Sequence, residues 1–248
     1  MSSQKPRDFV PGQLESLKFA HRREDYYRGL ETIKSLGYST EDFLHHFPAF
    51  VGQMTLGRFL CLYEAYKATL GLAGHIAEVG VFRGAGTLFF AKLTELFEPN
   101  SLTQVHGFDW FKGNQPSKSE AGIVPGGDSE SLERITSLIN AQQLQHCVRI
   151  HVLDVANELD SFFSRYPHLQ FKLVFLDAGM YDVVKKALPH FWDRLNVGGY
   201  LILDQFNFEV APGETKAVKE FLPDVEIRSF NFGWMPSAYI VKPGRRFA

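Results

Sequence analysis

Only two cysteines, Cys61 and Cys147, occur in the 248 residues. They make neither a disulfide framework nor a zinc pattern, and no two histidines have zinc-site spacing. No apolar run approaches the roughly 18 residues of a membrane span, so none is expected. An excess of one charge is also missing: 26 Lys and Arg stand against 28 Asp and Glu, a formal net of -2. No overall basic field points to nucleic acid. The opening MSSQKPRDFV has no apolar core of a secretory signal, and there is no internal repeat or low-complexity segment. These absences predict a soluble, cytoplasmic protein that does not bind nucleic acid or membrane. A 45% hydrophobic content is ample for one well-buried core. Phenylalanine is abundant, with 23 copies; most belong in that core, and some could line an apolar substrate pocket.

The pattern along the chain divides near residue 72. Before it, QLESLKFAHRREDYYRGLETIKSL reads as a helix, GYST as a turn with Ser39 or Thr40 as the next cap, and MTLGRFLCLYEAYKATL as a helix. Residues 1–72 are therefore expected to form a helical cap or homo-oligomer surface. From 73 to 248, short apolar runs alternate with helices. HIAEVG, TQVHGFD, VRIHVLD, FKLVFLDA and GYLILDQ read as strands, and VEIRSF and SAYIVKP close the chain as a hairpin. Asp128 or Ser129 opens the helix before VRIHVLD, and the helix after FKLVFLDA breaks near Pro189. Alternation of this kind specifies an α/β fold, with a doubly wound, Rossmann-like sheet of seven strands and a final antiparallel strand. KLVFL and YLIL suit strands buried on both faces.

Ligands of such sheets bind beyond the carboxyl ends of the strands. Five strands here end in, or just before, an acid: Glu78, Asp109, Asp154, Asp177 and Asp204. So many like charges are costly unless a ligand or cation shares that edge. The turn after the first strand, EVGVFRGAG, spaces its glycines as Gly80, Gly84 and Gly86. That is neither the dinucleotide fingerprint G-x-G-x-x-G nor a P-loop, which needs a lysine before the Ser or Thr. Glu78 before the turn suits a ligand with a positive group rather than a pyrophosphate. S-Adenosylmethionine, with its ammonium, sulfonium, ribose and adenine, meets that demand. Asp109 is placed for the ribose hydroxyls and Asp154 for the adenine amino group, while Gly80, Phe82, Arg83 and Gly84 form the turn around the cofactor. The alternative is that these glycines serve only tight packing.

EVGVFRGAG, then HGFDWFKG and LDAGMYDVVKKALPHFWDRLNVGGYLILD, together resemble the macrocin/mycinamicin O-methyltransferase family, over roughly Met54 to Gln205. The resemblance implies a class I methyltransferase fold and S-adenosylmethionine-dependent methylation of hydroxyls on sugars or other natural products. MTLGRFLCLYEAYK resembles that family's helix before the first strand, which makes Thr55 and Arg58 contacts to the cofactor carboxylate; for Arg58 a surface salt bridge is the other reading. The family also holds a divalent cation, magnesium, on an aspartate after the fourth strand and a pair after the fifth. These positions are Asp177, Asp204 and Gln205, so an amide replaces one family aspartate. A magnesium site on two carboxylates and an amide oxygen, and no metal at all, both stay open.

A sugar hydroxyl is a poor nucleophile at neutral pH, so a base or metal is expected; Asp177 is the candidate base. His45 and His46 face either substrate or solvent, and His106 reads as structural. The Pro- and Gly-rich stretch from Lys112 to Glu130 is either a lid or a long connection, and Phe206 and Phe208 are candidate pocket walls. The leading expectation is an O-methyltransferase with a sugar or glycosylated small-molecule acceptor. Its rivals are a phenol or catechol O-methyltransferase and a non-catalytic nucleotide-binding protein of the same fold. A nicotinamide enzyme is disfavoured by the glycine spacing.

Overall fold

The computed structural model describes residues 16–117, 120 and 123–244. The proposed helix start at 13–15 lies outside them. A 3-10 helix, Leu17–Arg22, leads into α1 (Arg23–Ser35), α2 (Thr40–His45), α3 (Phe47–Phe50) and α4 (Gln53–Ala68). Then follow β1 (His75–Val79), α5 (Ala85–Phe97), β2 (Val105–Asp109), α6 (Leu132–Ala141), β3 (Val148–Val152) and α7 (Val155–Arg165). β4 (Phe171–Leu176), α8 (Tyr181–Arg194), β5 (Leu195–Leu203), α9 (Gly213–Phe221) and β6 (Ala238–Val241) complete the chain. Ser39 caps α2 through a reciprocal box with Asp42.

Among the described residues the sheet has six strands in the order β3-β2-β1-β4-β5-β6, all parallel except β6. Strand order reverses between β1 and β4, which opens a crevice at their carboxyl ends. Period-2 alternation sends each strand's side chains to two apolar layers. Ile76, Leu173, Phe175 and Ile202 face the layer built with α4, α5 and α6. Ala77, Val174, Leu176 and Leu203 face the layer built with α7, α8 and α9.

Four sequence expectations are corrected. The sheet has six strands, because VEIRSF contributes only an isolated bridge, Arg228 to Tyr239. After Phe230 the chain is drawn toward α4, where a Cβ on Gly233 would stand 2.1 Å from Cys61 Sγ, and Pro236 has no N–H for a ladder. The helix after β4 is not broken: α8 runs through Pro189, packed by Val184, Ala187, Leu188 and Phe191. The cap of α6 is Ser131 rather than Asp128 or Ser129. Finally, α4 is not outside the core. Cys61, Leu62, Ala65 and Tyr66 of α4 are fully buried, whereas α1 to α3 bury no residue.

His106 of β2, expected to be a satisfied structural histidine, is satisfied only in part: its Nδ1 lies 2.9 Å from His151 Nε2 on β3, while its Nε2 is buried with no partner among the described residues. Burial lowers both imidazoles, His106 to about 3 with help from neighbouring His151, and His151 to about 4 with help from Arg149. Between these values and the ordinary 6.5, the unfolded chain takes up protons that the folded one refuses, so this pair withdraws stability as pH falls from about 6.5 to about 4. In NMR titrations of the folded protein, two imidazoles are therefore expected to stay neutral at pH 5; ordinary titration near 6.5 by both would contradict the packing described.

Candidate active site

A cavity of about 1650 Å³ opens at the carboxyl edge, and all five strand-end acids line it. A single-ligand pocket is typically about 300–1,000 Å³, so there is room for a cofactor and an acceptor together. Register explains why three acids converge. Glu78 lies beside Phe175 in β4, and Phe175 beside Ile202 in β5. Asp177 and Asp204 each follow two residues later, so both share the α4-facing side with Glu78.

Glu78 is buried over the first turn of α5, where Thr87 Oγ1 donates to its carboxylate. Gly86 makes the space, since a Cβ there would lie 2.0 Å from Glu78 Oε1. Gly80 has φ 96°, and a Cβ on it would meet Asp177 O at 2.1 Å, so the β1–β4 crevice requires glycine there. Burial, then Asp177, raises the Glu78 carboxyl to about 8.

Asp109 accepts from Phe82 N at 2.8 Å and Phe111 N at 2.7 Å. Both phenylalanines have positive φ, 47° and 61°, a conformation that costs about 1–2 kcal/mol for a residue with a Cβ. Asp109 thus joins two strained turns, and a carboxylate with about four lone-pair sites keeps room for a diol. Asp154 caps α7 by accepting from Ala156 N at 3.0 Å and also accepts from Asn157 Nδ2 at 2.6 Å. It lines the cavity, as do Phe82, Arg83 and Thr55. Gly84, with φ 79°, begins α5 from a left-handed turn.

Arg58 is the centre of the arrangement. Thr55 and Arg58 lie three residues apart on one face of α4, which is anchored in the core four residues further on by Leu62. The Arg58 guanidinium gives Nη2 to Asp177 Oδ2 and Nη1 to Asp204 Oδ1. Its side chain is 18% exposed, so this is not an ordinary surface pair. Burial opposes its charge, but Asp177 and then Asp204 raise its pKa above the usual arginine value and keep it protonated. Burial pushes Asp204 well up, opposed by Arg58 and reinforced by Asp177.

This geometry does not suit the expected magnesium ion. The two carboxylates converge, but Arg58 stands between them. Gln205 Oε1 is buried with no hydrogen-bond partner among the described residues and lies against Gly179, within 1.7 Å of where a Cβ would be. No group of three His, Cys, Asp or Glu suited to a metal occurs among the described residues. As placed, Asp177, Asp204 and Gln205 do not form a metal-ligand set.

Two acids went unnoticed in the sequence. Glu214 is fully buried at the start of α9, is driven well above the carboxylate range by burial, and accepts from Gln205 N at 2.8 Å. Glu120 is buried and accepts from Ser117 N at 2.8 Å and Tyr181 N at 2.5 Å, at the start of α8. An acid in or near a first helical turn is ordinary, so nothing in GETKAVKEF or KSE marks them. Part of the 112–130 stretch walls the cavity, including Asn114, Ile123 and Asp128. Phe208 also lines it, whereas Phe206 packs on the core. His45 and His46 are exposed and away from the cavity.

A twisted parallel sheet with one antiparallel edge strand and a crossover cavity of this kind is the architecture of class I methyltransferases. Residues 77–206 match the methyltransferase domain family, and the chain belongs to that family. Among solved structures the fold is similar to that of CalS11, a calicheamicin methyltransferase, at TM-score 0.76 and 21% identity over 97% of this chain and 98% of that one. An apo structure of CalS11, described as a TDP-rhamnose 3'-O-methyltransferase, gives TM-score 0.72 and 22% identity over 96% and 99%. The O-methyltransferase NovP gives 0.63 and 17% over 76% and 80%. No curated protein matches the sequence.

The raised carboxyl of Glu78 generates a prediction. Its folded pKa of about 8 exceeds the ordinary 4.5, so its contribution to stability is complete below about 4.5 and lost as pH rises through about 8. Glu78→Gln, neutral throughout, is expected to lose less melting temperature than the parent between pH 6 and 9 in scanning calorimetry. Parallel curves for the two proteins would mean that Glu78 ionises normally.

Proposed function

We propose that the protein is an S-adenosylmethionine-dependent O-methyltransferase acting on a hydroxyl of a small molecule, a sugar or a glycosylated natural product. The observation that carries this reading is the convergence of Glu78, Asp177 and Asp204 beside a two-molecule cavity. The Gly80 turn receives the amino-acid end of the cofactor, whose positive charge favours ionisation of Glu78 when it binds. Asp109 takes the ribose diol through its remaining lone pairs, and Asp154 lies toward the adenine. Thr55 lines the same side. Likeness in fold to CalS11 and NovP supports the hydroxyl acceptor.

S-Adenosylmethionine held here would supply an electrophilic methyl to the acceptor oxygen, its carbon–sulfur bond breaking to leave a neutral thioether. The hydroxyl proton passes to Asp177. Arg58 engages Oδ2 of Asp177 and leaves Oδ1 outside that ion pair to receive it. Alignment inside a closed cavity supplies much of the acceleration, up to about 7–11 kcal/mol in ideal intramolecular cases. The apolar patch of Phe208, Ala211 and Met235, with Ile123 against it, favours a second reading in which the acceptor is a phenol. Self-association is proposed through the 17–50 helices, which expose Leu36, Tyr38, Leu44 and Phe47.

Two variants test the assignment. By calorimetry, Asp109→Ala is expected to weaken S-adenosylmethionine binding on the order of ten- to a hundredfold per hydrogen bond lost, since bonds to charged groups are worth about 1.5–3 kcal/mol. Unchanged affinity, or binding of NAD by the parent, counts against the site. Asp177→Asn is expected to fold, keep the cofactor, and lose roughly 10²–10⁴-fold in turnover, the range for a general base. Turnover near the parent's would remove Asp177 from that role.

A further inference from the structure

We propose that Arg58 is the resident cation of the chemical centre, standing where a divalent metal would otherwise sit, so that this protein transfers its methyl group without a metal. The proposal rests on the methyltransferase reading for its chemistry, but its geometry stands apart from that reading.

Magnesium demands near-ideal octahedral oxygen ligation at about 2.0–2.1 Å. Here one oxygen of each aspartate is already committed. Asp177 Oδ2 and Asp204 Oδ1, at the ends of neighbouring parallel strands, accept from the two terminal nitrogens of one guanidinium. This planar fork matches paired carboxylates in a way that a lysine could not. A divalent ion on the same two groups would face a fixed positive charge within a few ångströms, in a pocket where Asp204 is almost wholly shielded from water.

Arg58 is also hard to displace. Its guanidinium lies 5.3 Å from the centroid of the buried Phe175 ring, an attractive cation–π arrangement. Its helix is fixed in the core by Cys61, Leu62, Ala65 and Tyr66. The third ligand is missing as well. Gln205 turns its amide oxygen against Gly179, and its backbone N–H is held by Glu214. Where the resembled family has an aspartate, an amide stands here: a second negative charge is absent from a site that already contains its own positive one. Arg58 neutralises Asp204, fixes Asp177 and leaves one oxygen of Asp177 to receive the proton. As a residue that acts through Asp177 and Asp204, it is a positioning residue.

The test is a Mn²⁺ titration of the full chain followed by electron paramagnetic resonance, with and without S-adenosylmethionine, so that it reads out whether or not an acceptor has been found. The parent is expected to bind no stoichiometric Mn²⁺ in the submillimolar range. Arg58→Ala, which uncovers the two carboxylates, is expected to gain one Mn²⁺ per chain, and Asp204→Asn placed on that variant to lose it again. Arg58→Lys, which keeps the charge, is expected to bind none; it also serves if the alanine variant fails to fold, since loss of its exclusion would be equally telling. Where turnover is measurable, EDTA is expected to leave the parent's rate unchanged. One Mn²⁺ per parent chain, lost in Asp204→Asn, overturns the proposal, as does EDTA-abolished turnover that magnesium restores. Failure of Arg58→Ala to gain a site overturns it too, because the carboxylates would then not be a metal pair that Arg58 covers. Absence of methyl transfer to any acceptor would instead count against the function proposed above and leave the titration standing.

Discussion

One guanidinium holds the working edge of this molecule together. Parallel register places Asp177 and Asp204 side by side, and the same alternation puts Glu78 on their face. Three buried or half-buried carboxylates at such range cannot all be ionised without a counter-charge. Arg58 supplies it, while burial raises the carboxyls of Glu78 and Asp204. α4 is therefore more than a cap. It carries the positive charge in from the apolar layer it shares with β1, β4 and β5, so core packing and site electrostatics rest on the same helix.

The opposite end of the sheet shows the same logic applied to stability alone. Lys172 is fully buried, and its Nζ lies 2.5 and 2.6 Å from the two oxygens of Glu98, which also accepts from Tyr66 Oη at 2.7 Å. Each polar atom there has a partner, and the network ties α4, α5 and β4 together. At the carboxyl edge the pairing is incomplete: Gln205 Oε1 and Glu214 Oε2 are buried with no partner among the described residues. Unsatisfied buried groups are rare in folded proteins. Two of them stand beside Asp204, and others, His106 Nε2 and Arg194 Nε, lie elsewhere in the fold.

Much of this was legible in the chain itself. Alternation of apolar runs with helical patterns specified the parallel sheet, and acids at five strand ends marked the carboxyl edge, because both signals are local and periodic. The glycine turn was legible for a similar reason, since only glycine fits at Gly80 and Gly86. What the chain did not reveal is what depends on long-range placement. VEIRSF has strand composition but pairs only through the isolated bridge of Arg228 to Tyr239. Pro189 sits inside a helix that packing sustains. Arg58 meets aspartates 119 and 146 residues away, and no spacing rule encodes that meeting. Glu120 and Glu214 look like surface acids until the fold buries them.

The carboxyl edge is proposed to hold S-adenosylmethionine. Native mass spectrometry of the purified protein, before and after incubation with saturating S-adenosylmethionine, tests it most directly. One S-adenosylmethionine or its demethylated product per chain is the expected mass increment, displaced by neither NAD nor ATP. A protein that takes up no such ligand, or that carries a dinucleotide in its place, would contradict the account.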